Sequence, residues 1–301
     1  EAPEKLSLNK EQPRAYFFSF ADVESAKEVM PEASSYWQSL NGTWKFHWAP
    51  NPDERPKTFF EVQFEDAAWD DITVPSCWNV VGIQKDGSLK YGVPIYCNQP
   101  VIFKHTKVVG DWKGGVMREP NKDWTTYKYR NEVGSYRRTF RIPETWKDRE
   151  IYINFDGVNS FFYLWINGKY VGFSKNSRNT ASFNISDYLV KGDNVVAVEV
   201  YRNSDGSFLE AQDMYRLPGI FRDTYLTSTA KLEMRDMKID TDLTAEGATV
   251  SVNAMMRNLG KKAAKDFTLT YSVFENKLYS DEIVGKAGNP VVSEKFTLDK
   301  D

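Results

Sequence analysis

The stretch FFYLWINGKYVGF, residues 161–173, decides the fold. Its first six residues are all apolar or aromatic, and the dipeptide Asn167-Gly168 follows them directly. Asn-Gly tolerates the positive φ angles of a tight two-residue turn, so apolar runs on both sides of it predict a β-hairpin. The sequence therefore predicts antiparallel β-structure at this point of the chain.

Strand patterns of the same kind extend in both directions. Apolar and polar residues alternate in segments 43–48, 134–142 and 151–155, segment 195–201 is mostly apolar, and turn residues such as Asp156-Gly157 separate the segments. The only early helix candidate is short and covers residues 21–28. Short strands with frequent turns and no long helical period indicate an all-β protein built as an antiparallel β-sandwich.

The 301 residues fall into three predicted regions. Residues 1–35 form a polar N-terminal extension, and residues 36–228 form the main sandwich. Simpler strands at 231–240, 248–257, 266–274 and 291–298 predict an immunoglobulin-like sandwich over residues 229–301. Such a sandwich has about seven strands, so we expect this one to be incomplete at Asp301. The charged, irregular insertion 104–130 is either a binding loop or a mobile excursion.

Composition excludes several classes of function. The chain carries 44 aromatic residues (9 Trp, 16 Tyr and 19 Phe), and its apolar content of 41% is too high for a disordered protein. A net charge of −3 gives no general attraction to phosphate backbones, so no nucleic-acid partner is expected. No apolar run approaches the roughly 20 residues of a membrane helix, so no membrane partner is expected either.

The scarcity of His and Cys limits the chemistry further, because the chain has only two of each. A nucleophilic triad would need His47 or His105, and both are expected to have structural or surface roles. Cys77, Cys97 and the two histidines lack the close ligand pairs of a structural zinc site. The two cysteines are either a disulfide or, more simply, buried thiols, and spacing alone does not decide between them.

One polar loop, residues 202–216, does not fit a plain sandwich. It follows an apolar strand and contains Asp205, Glu210 and Asp213. An Asp at a tight Gly turn can accept sugar hydroxyls or ligate a hard cation, and nearby aromatic faces can stack on a sugar ring. The alternative is an Asx-turn that caps the loop, with the other carboxylates paired to nearby arginines. The residues alone leave both readings open.

Several stretches, taken in order, resemble the N-terminal region of bacterial β-galactosidases of glycoside hydrolase family 2. They are LNGTWKF (40–46), VPSCW (74–78), PIYCN (94–98), INFDGVNS (153–160), LWING (164–168), SDGSFLE (204–210), QDMYR (212–216) and FRD (221–223). The resemblance is strong over residues 37–226 and weaker beyond them. It implies a galactose-binding-like jelly-roll β-sandwich, then an immunoglobulin-like β-sandwich, then a (β/α)8 barrel that holds the catalytic glutamates.

The resemblance also implies a function. We expect the chain to be the non-catalytic N-terminal portion of an enzyme that hydrolyses terminal β-D-galactosyl residues, because the barrel is not in this sequence. The single Asn-Glu dipeptide, Asn131-Glu132, lacks the preceding Gly of the family's acid/base motif and is interpreted as the entrance to a strand.

The resemblance implies binding roles for two residues. Asn98 and Asp205 match the jelly-roll positions that reach into the barrel's pocket, so both are expected to bind the galactosyl group. Asp205 is also expected to help hold sodium, whose other ligands belong to the barrel, and magnesium is expected in the barrel of the complete enzyme. The complete enzyme is expected to bind a β-galactoside and to form a homo-oligomer. The two cysteines leave its compartment open, and the exported members of the family favour a periplasmic over a cytoplasmic location. The insertion 104–130 replaces the family's Pro-rich tract, which leaves the sugar preference open.

Two other functions are compatible with the residues. A stand-alone carbohydrate-binding module would use the same sandwich and bind glycans by aromatic stacking. A scaffold or interaction sandwich would bind no sugar at all.

Overall fold

The computed structural model describes residues 4–28, 30–96, 131–210, 213–245, 247–271, 274–275, 286–287 and 292–298. The insertion 104–130, together with Cys97, Asn98 and His105, lies outside these ranges. Over the described ranges the chain is mostly strand, which confirms the all-β prediction. Contacts divide it into two compact units, residues 1–13 with 18–228 and residues 14–17 with 229–301.

The first unit contains fifteen strands and three short α-helices among its described residues. The strands are β1 (Ser7–Leu8), β2 (Trp37–Ser39), β3 (Gly42–Ala49), β4 (Asp70–Val74), β5 (Ile95–Tyr96), β6 (Val133–Arg141), β7 (Glu150–Phe155), β8 (Val158–Asn159), β9 (Phe161–Ile166), β10 (Lys169–Ser174), β11 (Ala181–Asn184), β12 (Asp193–Tyr201), β13 (Tyr215–Arg216), β14 (Gly219–Ile220) and β15 (Thr224–Thr229). The helices are α1 (Val23–Lys27), α2 (Trp78–Val81) and α3 (Ser207–Glu210).

Two antiparallel sheets form the sandwich of the first unit. The larger has seven strands in the order β1-β10-β9-β12-β6-β3-β4, and the smaller has four in the order β11-β7-β15-β2. The predicted hairpin joins β9 and β10, and Asn167 (φ 51°) and Gly168 (φ 77°) adopt the positive φ angles that the turn requires. β12 is the central strand of the larger sheet, with β9 on one side and β6 on the other.

The core lies between these sheets and is rich in aromatic residues. Its largest fully buried side chains are Trp44, Trp78, Trp146, Tyr136, Phe46, Phe155, Phe162 and Phe183. Gly134 makes this packing possible, because a Cβ at that position would lie 2.7 Å from the Trp78 ring and 2.8 Å from the Phe46 ring. The residue is therefore fixed as glycine by the close approach of two core rings.

The first residues of the chain add an edge strand to the larger sheet. β1 pairs with β10, with Ser7 opposite Ser174 and Leu8 opposite Phe173. Gly172 allows this approach, because a Cβ there would lie 2.1 Å from the carbonyl oxygen of Leu8. Part of the polar N-terminal extension is thus integrated into the sheet.

The second unit is also built from antiparallel pairs. Its described strands are β16 (Leu232–Thr244), β17 (Gly247–Asn258), β18 (Ala264–Tyr271), β19 (Phe274–Glu275), β20 (Lys286–Ala287) and β21 (Val292–Leu298). β16 pairs with β17, β18 with β21, and β19 with β20. In the described ranges of both units, no helix is long and apolar enough to cross a membrane.

Candidate functional site

β9 presents aromatic rings on both of its faces. Phe162, Leu164 and Ile166 are buried in the core, while Phe161, Tyr163 and Trp165 are half-buried on the opposite face. This opposite face carries a continuous aromatic layer. In that layer, Phe60 stacks on Trp165 with ring centres 5.1 Å apart and planes 7° from parallel. The strand therefore supplies both the core and an outer aromatic surface.

One end of the outer surface opens into a cleft of about 310 Å³. We call it the aromatic cleft and define it by its lining residues. Four rings form its wall, Phe161, Tyr163, Phe173 and Tyr201, and six polar residues form the rest, Lys5, Asn131, Lys175, Asn203, Ser204 and Asp205. Apolar walls with a few converging polar groups are the usual composition of a small-molecule site. Aromatic rings beside carboxylate, amide and ammonium groups suit a sugar in particular.

Asp205 lies at the polar end of the aromatic cleft, on the turn that follows the central strand β12. One carboxylate oxygen, Oδ1, accepts a hydrogen bond of 2.9 Å from the backbone N–H of Gly206. The other, Oδ2, lies 2.8 Å from Nζ of Lys175. The side chains of Lys175 and Asp205 are 11% and 17% exposed, so the ion pair is largely shielded from water. The carboxylate is thus held in a fixed direction.

Hydrogen bonds hold the turn that carries Asp205 at both of its ends. The Ser204 N–H donates to Oγ of Ser207 at 2.9 Å, at the start of α3. At the end of α3, Glu210 accepts hydrogen bonds from the backbone N–H of Ser177 (2.9 Å) and from its hydroxyl (2.5 Å). Ser177 and Lys175 belong to the same loop after β10, so Glu210 ties together the two loops that form the ion pair.

Two asparagines line the cleft beside the ion pair. Asn131 donates from Nδ2 to the carbonyl of Asn203 (3.1 Å), and its Oδ1 accepts from the N–H of Asn203 (2.8 Å). Asn203 is 3% exposed, and its own Nδ2 has no hydrogen-bond partner. A buried amide donor without a partner costs free energy unless a ligand or water satisfies it. Asn203 is therefore a donor available to a molecule in the cleft.

The aromatic wall is uncharged at neutral pH. Burial, and then the nearby Glu199 carboxylate, raise the pKa of Tyr201 above its usual range. The Tyr201 hydroxyl donates to Oε1 of Glu199 at 2.7 Å. Glu199 in turn pairs with Arg55, at 3.2 Å from Nε. The Tyr201 ring is thereby held in place while its hydroxyl stays protonated.

The Asn-Glu dipeptide has a structural role. Glu132 immediately precedes β6 and forms an ion pair with Arg202, with Oε2 2.8 Å from Nη1 and both side chains 1% exposed. Arg202 also donates from Nη2 to the carbonyl oxygens of Val93 (2.9 Å) and Arg216 (3.1 Å). The interpretation of Asn131-Glu132 as a strand entrance is confirmed.

Asn98, Glu210 and Asp213 are the other candidates from the sequence. Asn98 is outside the described residues, so its expected contact with a galactosyl group stays a prediction. The nearby Tyr96 donates a hydrogen bond to Asp213, and their strands β5 and β13 pair. Asp205 accepts from the N–H of Gly206, one residue on, rather than from the residue two positions on as in an Asx-turn. Glu210 and Asp213 take Ser177 and Tyr96 as partners rather than arginines.

The two described His and Cys candidates, His47 and Cys77, do not line the cleft. His47 lies in β3 with its ring centre 5.3 Å from that of Trp69, and burial lowers its pKa. Cys77 is a free thiol whose pKa is raised by burial. His105 and Cys97 lie outside the described ranges.

Sequence reasoning missed Lys175, Asn203 and the outer rings. The lysine and Asp205 are 30 residues apart and follow different strands, so nothing local links them. A signal for the outer rings was present, because residues 161–166 are apolar at every position rather than at every second one. Such a run predicts a strand covered on both faces.

The expected sodium concerns one described residue of this chain, Asp205. Its Oδ2 lies 2.8 Å from Nζ of Lys175, so an ammonium group already neutralises the carboxylate. A second monovalent cation on Oδ2 would lie beside Lys175 and be repelled by it. The lysine thus occupies the cation position at this oxygen, and the sodium expectation stays a prediction. The magnesium prediction concerns the barrel and stays a prediction.

Comparisons with known proteins agree on one family. The profile of the glycosyl hydrolases family 2 sugar binding domain matches residues 37–230. A beta-galactosidase of Priestia megaterium is 40% identical over 275 residues, 91% of this chain and 25% of that protein. A beta-galactosidase of Psychromonas ingrahamii is 37% identical over 88% of this chain and 23% of its own length. The chain thus spans about a quarter of the length of these relatives.

Solved structures with the same fold are more distant in sequence. A beta-glucuronidase of Bacteroides uniformis superposes with a TM-score of 0.62 at 20% identity, over 87% of this chain and 26% of that one. A beta-glycosidase of Bacteroides vulgatus gives a TM-score of 0.54 at 20% identity, over 88% and 29%. These likenesses support the β-sandwich fold. The family profile, which covers residues 37–230, shows that this chain belongs to glycosyl hydrolase family 2 and carries its sugar-binding domain.

Proposed function

We propose that this chain is the N-terminal sugar-binding portion of a β-galactosidase and that Asp205 binds the galactosyl group in a pocket completed by a (β/α)8 barrel. The observation that carries the proposal is the position of Asp205, fixed by Gly206 and Lys175 at the polar end of the aromatic cleft. The named beta-galactosidases at 37–40% identity support the choice of galactosides. The resemblance adds three parts to this proposal. Asn98 also contacts the galactosyl group, and the complete enzyme is exported to the periplasm and forms a homo-oligomer.

Asp205 suits this role because its carboxylate is oriented before any ligand arrives. One amide fixes Oδ1 and one ammonium fixes Oδ2, and a carboxylate oxygen can accept more than one hydrogen bond, which a sugar hydroxyl can donate. A charge-assisted hydrogen bond to a hydroxyl in a shielded site contributes about 1.5–3 kcal/mol. The side chain therefore acts in binding and orientation, while the acid/base and nucleophile carboxylates belong to the barrel.

The test is a kinetic comparison in the complete enzyme. Asp205→Asn is expected to lower kcat/KM on a chromogenic β-galactoside about ten- to hundredfold, which corresponds to the loss of one charge-assisted hydrogen bond. The exposed Asp187, in the turn Ser186–Tyr188, provides the matched control as Asp187→Asn. An enzyme that prefers a β-glucuronide, or an Asp205→Asn variant with unchanged kinetics, would contradict the proposal.

The four-ring wall favours a second candidate function, in which the chain alone binds a carbohydrate. Titration calorimetry of the 301-residue chain with galactosides and plant glycans tests it. Affinity that survives Asp205→Ala but is lost in Phe173→Ala would favour the stand-alone module. No binding to any glycan would favour the scaffold reading for the isolated chain.

A further inference from the structure

Lys175 and Asp205 form an ion pair in which both partners are fixed by the backbone around them. Lys175 follows β10 directly, and its N–H donates to the carbonyl of Leu6 at 3.0 Å. Its Nζ lies 2.8 Å from Oδ2 of Asp205, whose Oδ1 accepts from the Gly206 N–H. One carboxylate oxygen therefore meets an amide and the other meets a full positive charge.

A largely buried carboxylate needs a compensating positive charge, because burial disfavours the ionised form. An alkali cation and a lysine ammonium carry the same charge, and each can contact the same oxygen. They cannot share it easily, because two like charges beside one carboxylate repel each other in a shielded site. The presence of Lys175 at hydrogen-bond distance therefore removes the electrostatic need for sodium at Asp205.

We propose that the Lys175 ammonium is the resident cation of Asp205 and takes the place of the alkali ion expected there. In this role Lys175 is a positioning residue, because it orients the carboxylate and does not itself act on a bond. Its covalent tether keeps the positive charge at the carboxylate at any salt composition. The site is therefore insensitive to the identity of the alkali ion. The inference rests on the proposed function in one respect only, that the carboxylate of Asp205 binds a galactosyl group.

The test measures the melting temperature of the 301-residue chain in sodium, potassium, choline and methylammonium chloride at equal ionic strength. The wild-type chain is expected to melt at the same temperature in all four salts. Lys175→Ala removes the ammonium beside a largely buried carboxylate, so its Tm is expected to fall by roughly 5–10 °C. Methylammonium, which fits the space vacated by the side-chain end, is expected to restore part of that loss.

Three further variants sharpen the test. Lys175→Arg keeps the charge and should remain insensitive to the salt. Asp205→Asn combined with Lys175→Ala should abolish the methylammonium response, and the double-mutant cycle should show coupling between the two positions. Lys169 is an exposed lysine at the start of β10, the strand that Lys175 follows, so Lys169→Ala is the matched control and should show no response. Lys175→Met keeps the aliphatic stem and replaces Lys175→Ala if that variant does not fold.

Two results would overturn the proposal. One is a sodium-specific rise in the Tm of the wild-type chain that Asp205→Asn removes, which would place sodium on the carboxylate beside the lysine. The other is strict additivity of the changes at 175 and 205, which would show that the pair is not coupled. Neither readout involves a sugar, so the two proposals can fail separately. Unchanged kinetics in Asp205→Asn would contradict the galactoside proposal, whereas the two Tm results above would contradict the cation proposal.

Discussion

Glu132 and Arg202 are 70 residues apart in the sequence and form an ion pair that is almost completely excluded from solvent, with Oε2 2.8 Å from Nη1. Arg202 immediately follows the central strand β12, and Glu132 immediately precedes its neighbour β6. The pair therefore joins the ends of two adjacent strands just beneath the loop that carries Asp205. Buried pairs of this kind are costly to break on one side only, because the remaining charge stays buried.

Glu132→Gln is expected to lower the free energy of unfolding by about 3–5 kcal/mol, because Arg202 keeps its buried charge without a carboxylate partner. Urea denaturation of the chain measures the change. Asp193→Asn is the control, since it breaks a surface pair with Arg141 in which the side chains are 56% and 75% exposed, and it should change stability very little. Equal stability of Glu132→Gln and wild type would contradict the structural role of the pair.

Glu210→Ala is expected to loosen the loop after β10 without unfolding the sheet. Glu210 accepts two of the three hydrogen bonds that Ser177 donates, and the third goes from its hydroxyl to the carbonyl of Ser160 at 3.4 Å, so removal of Glu210 weakens the hold on the loop that carries Lys175. Faster amide exchange at residues 174–178, with little change in Tm, is the expected result. Leu209→Ala serves as the neighbouring control, because Leu209 is 82% exposed. Exchange in 174–178 that is as slow as in the wild type would count against this linkage.

Gly172→Ala is expected to detach β1 from the edge of the larger sheet. The new Cβ would overlap the carbonyl oxygen of Leu8, a backbone atom that cannot move unless the strand moves. Limited proteolysis near residues 7–9 should become faster, and the amide of Leu8 should lose its protection from exchange. Ser174→Ala, on the same strand, adds no atom and should leave both measurements unchanged. Persistent protection at Leu8 in Gly172→Ala would be inconsistent with the pairing.

His47 should contribute a pH dependence to stability. Burial lowers its pKa below the usual value near 6.5, and the attraction of Asp70 opposes this only in part. The unfolded chain then binds the proton more readily, so the contribution of His47 is complete above pH 6.5 and is lost as the pH falls through the lowered pKa. Between about pH 8 and pH 5, wild type should lose more Tm than His47→Gln. Parallel Tm curves would show that His47 has an ordinary pKa.

Local patterns predict most of the fold. The strand predicted at 161–166 is observed at those residues, and that at 195–201 is observed as 193–201. The helix candidate 21–28 is observed as Val23–Lys27, with Asp22 capping it through Ser25. These elements follow from side-chain periodicity and turn chemistry, which act over a few residues.

The candidate site was predicted less completely. Asp205 was identifiable because an Asp-Gly turn after an apolar strand exposes its carboxylate. Its partner Lys175 was not, because their contact depends on how β9, β10 and β12 align in the sheet. A place in the core accounts for the aromatic ring of Phe162 but not for that of Tyr163, which lies on the opposite face of β9.

Because β12 lies at the centre of the larger sheet, the turn that carries Asp205 should resist heat and denaturant. Central strands open only when the whole domain unfolds, whereas edge strands and loops open locally. Asp205 is four residues beyond the end of β12, next to the Arg202 pair, so its position depends on the slowest-opening part of the domain. Warming should therefore release the edge strand β1, together with the Leu6 carbonyl that accepts from Lys175, before the turn that carries Asp205 is displaced.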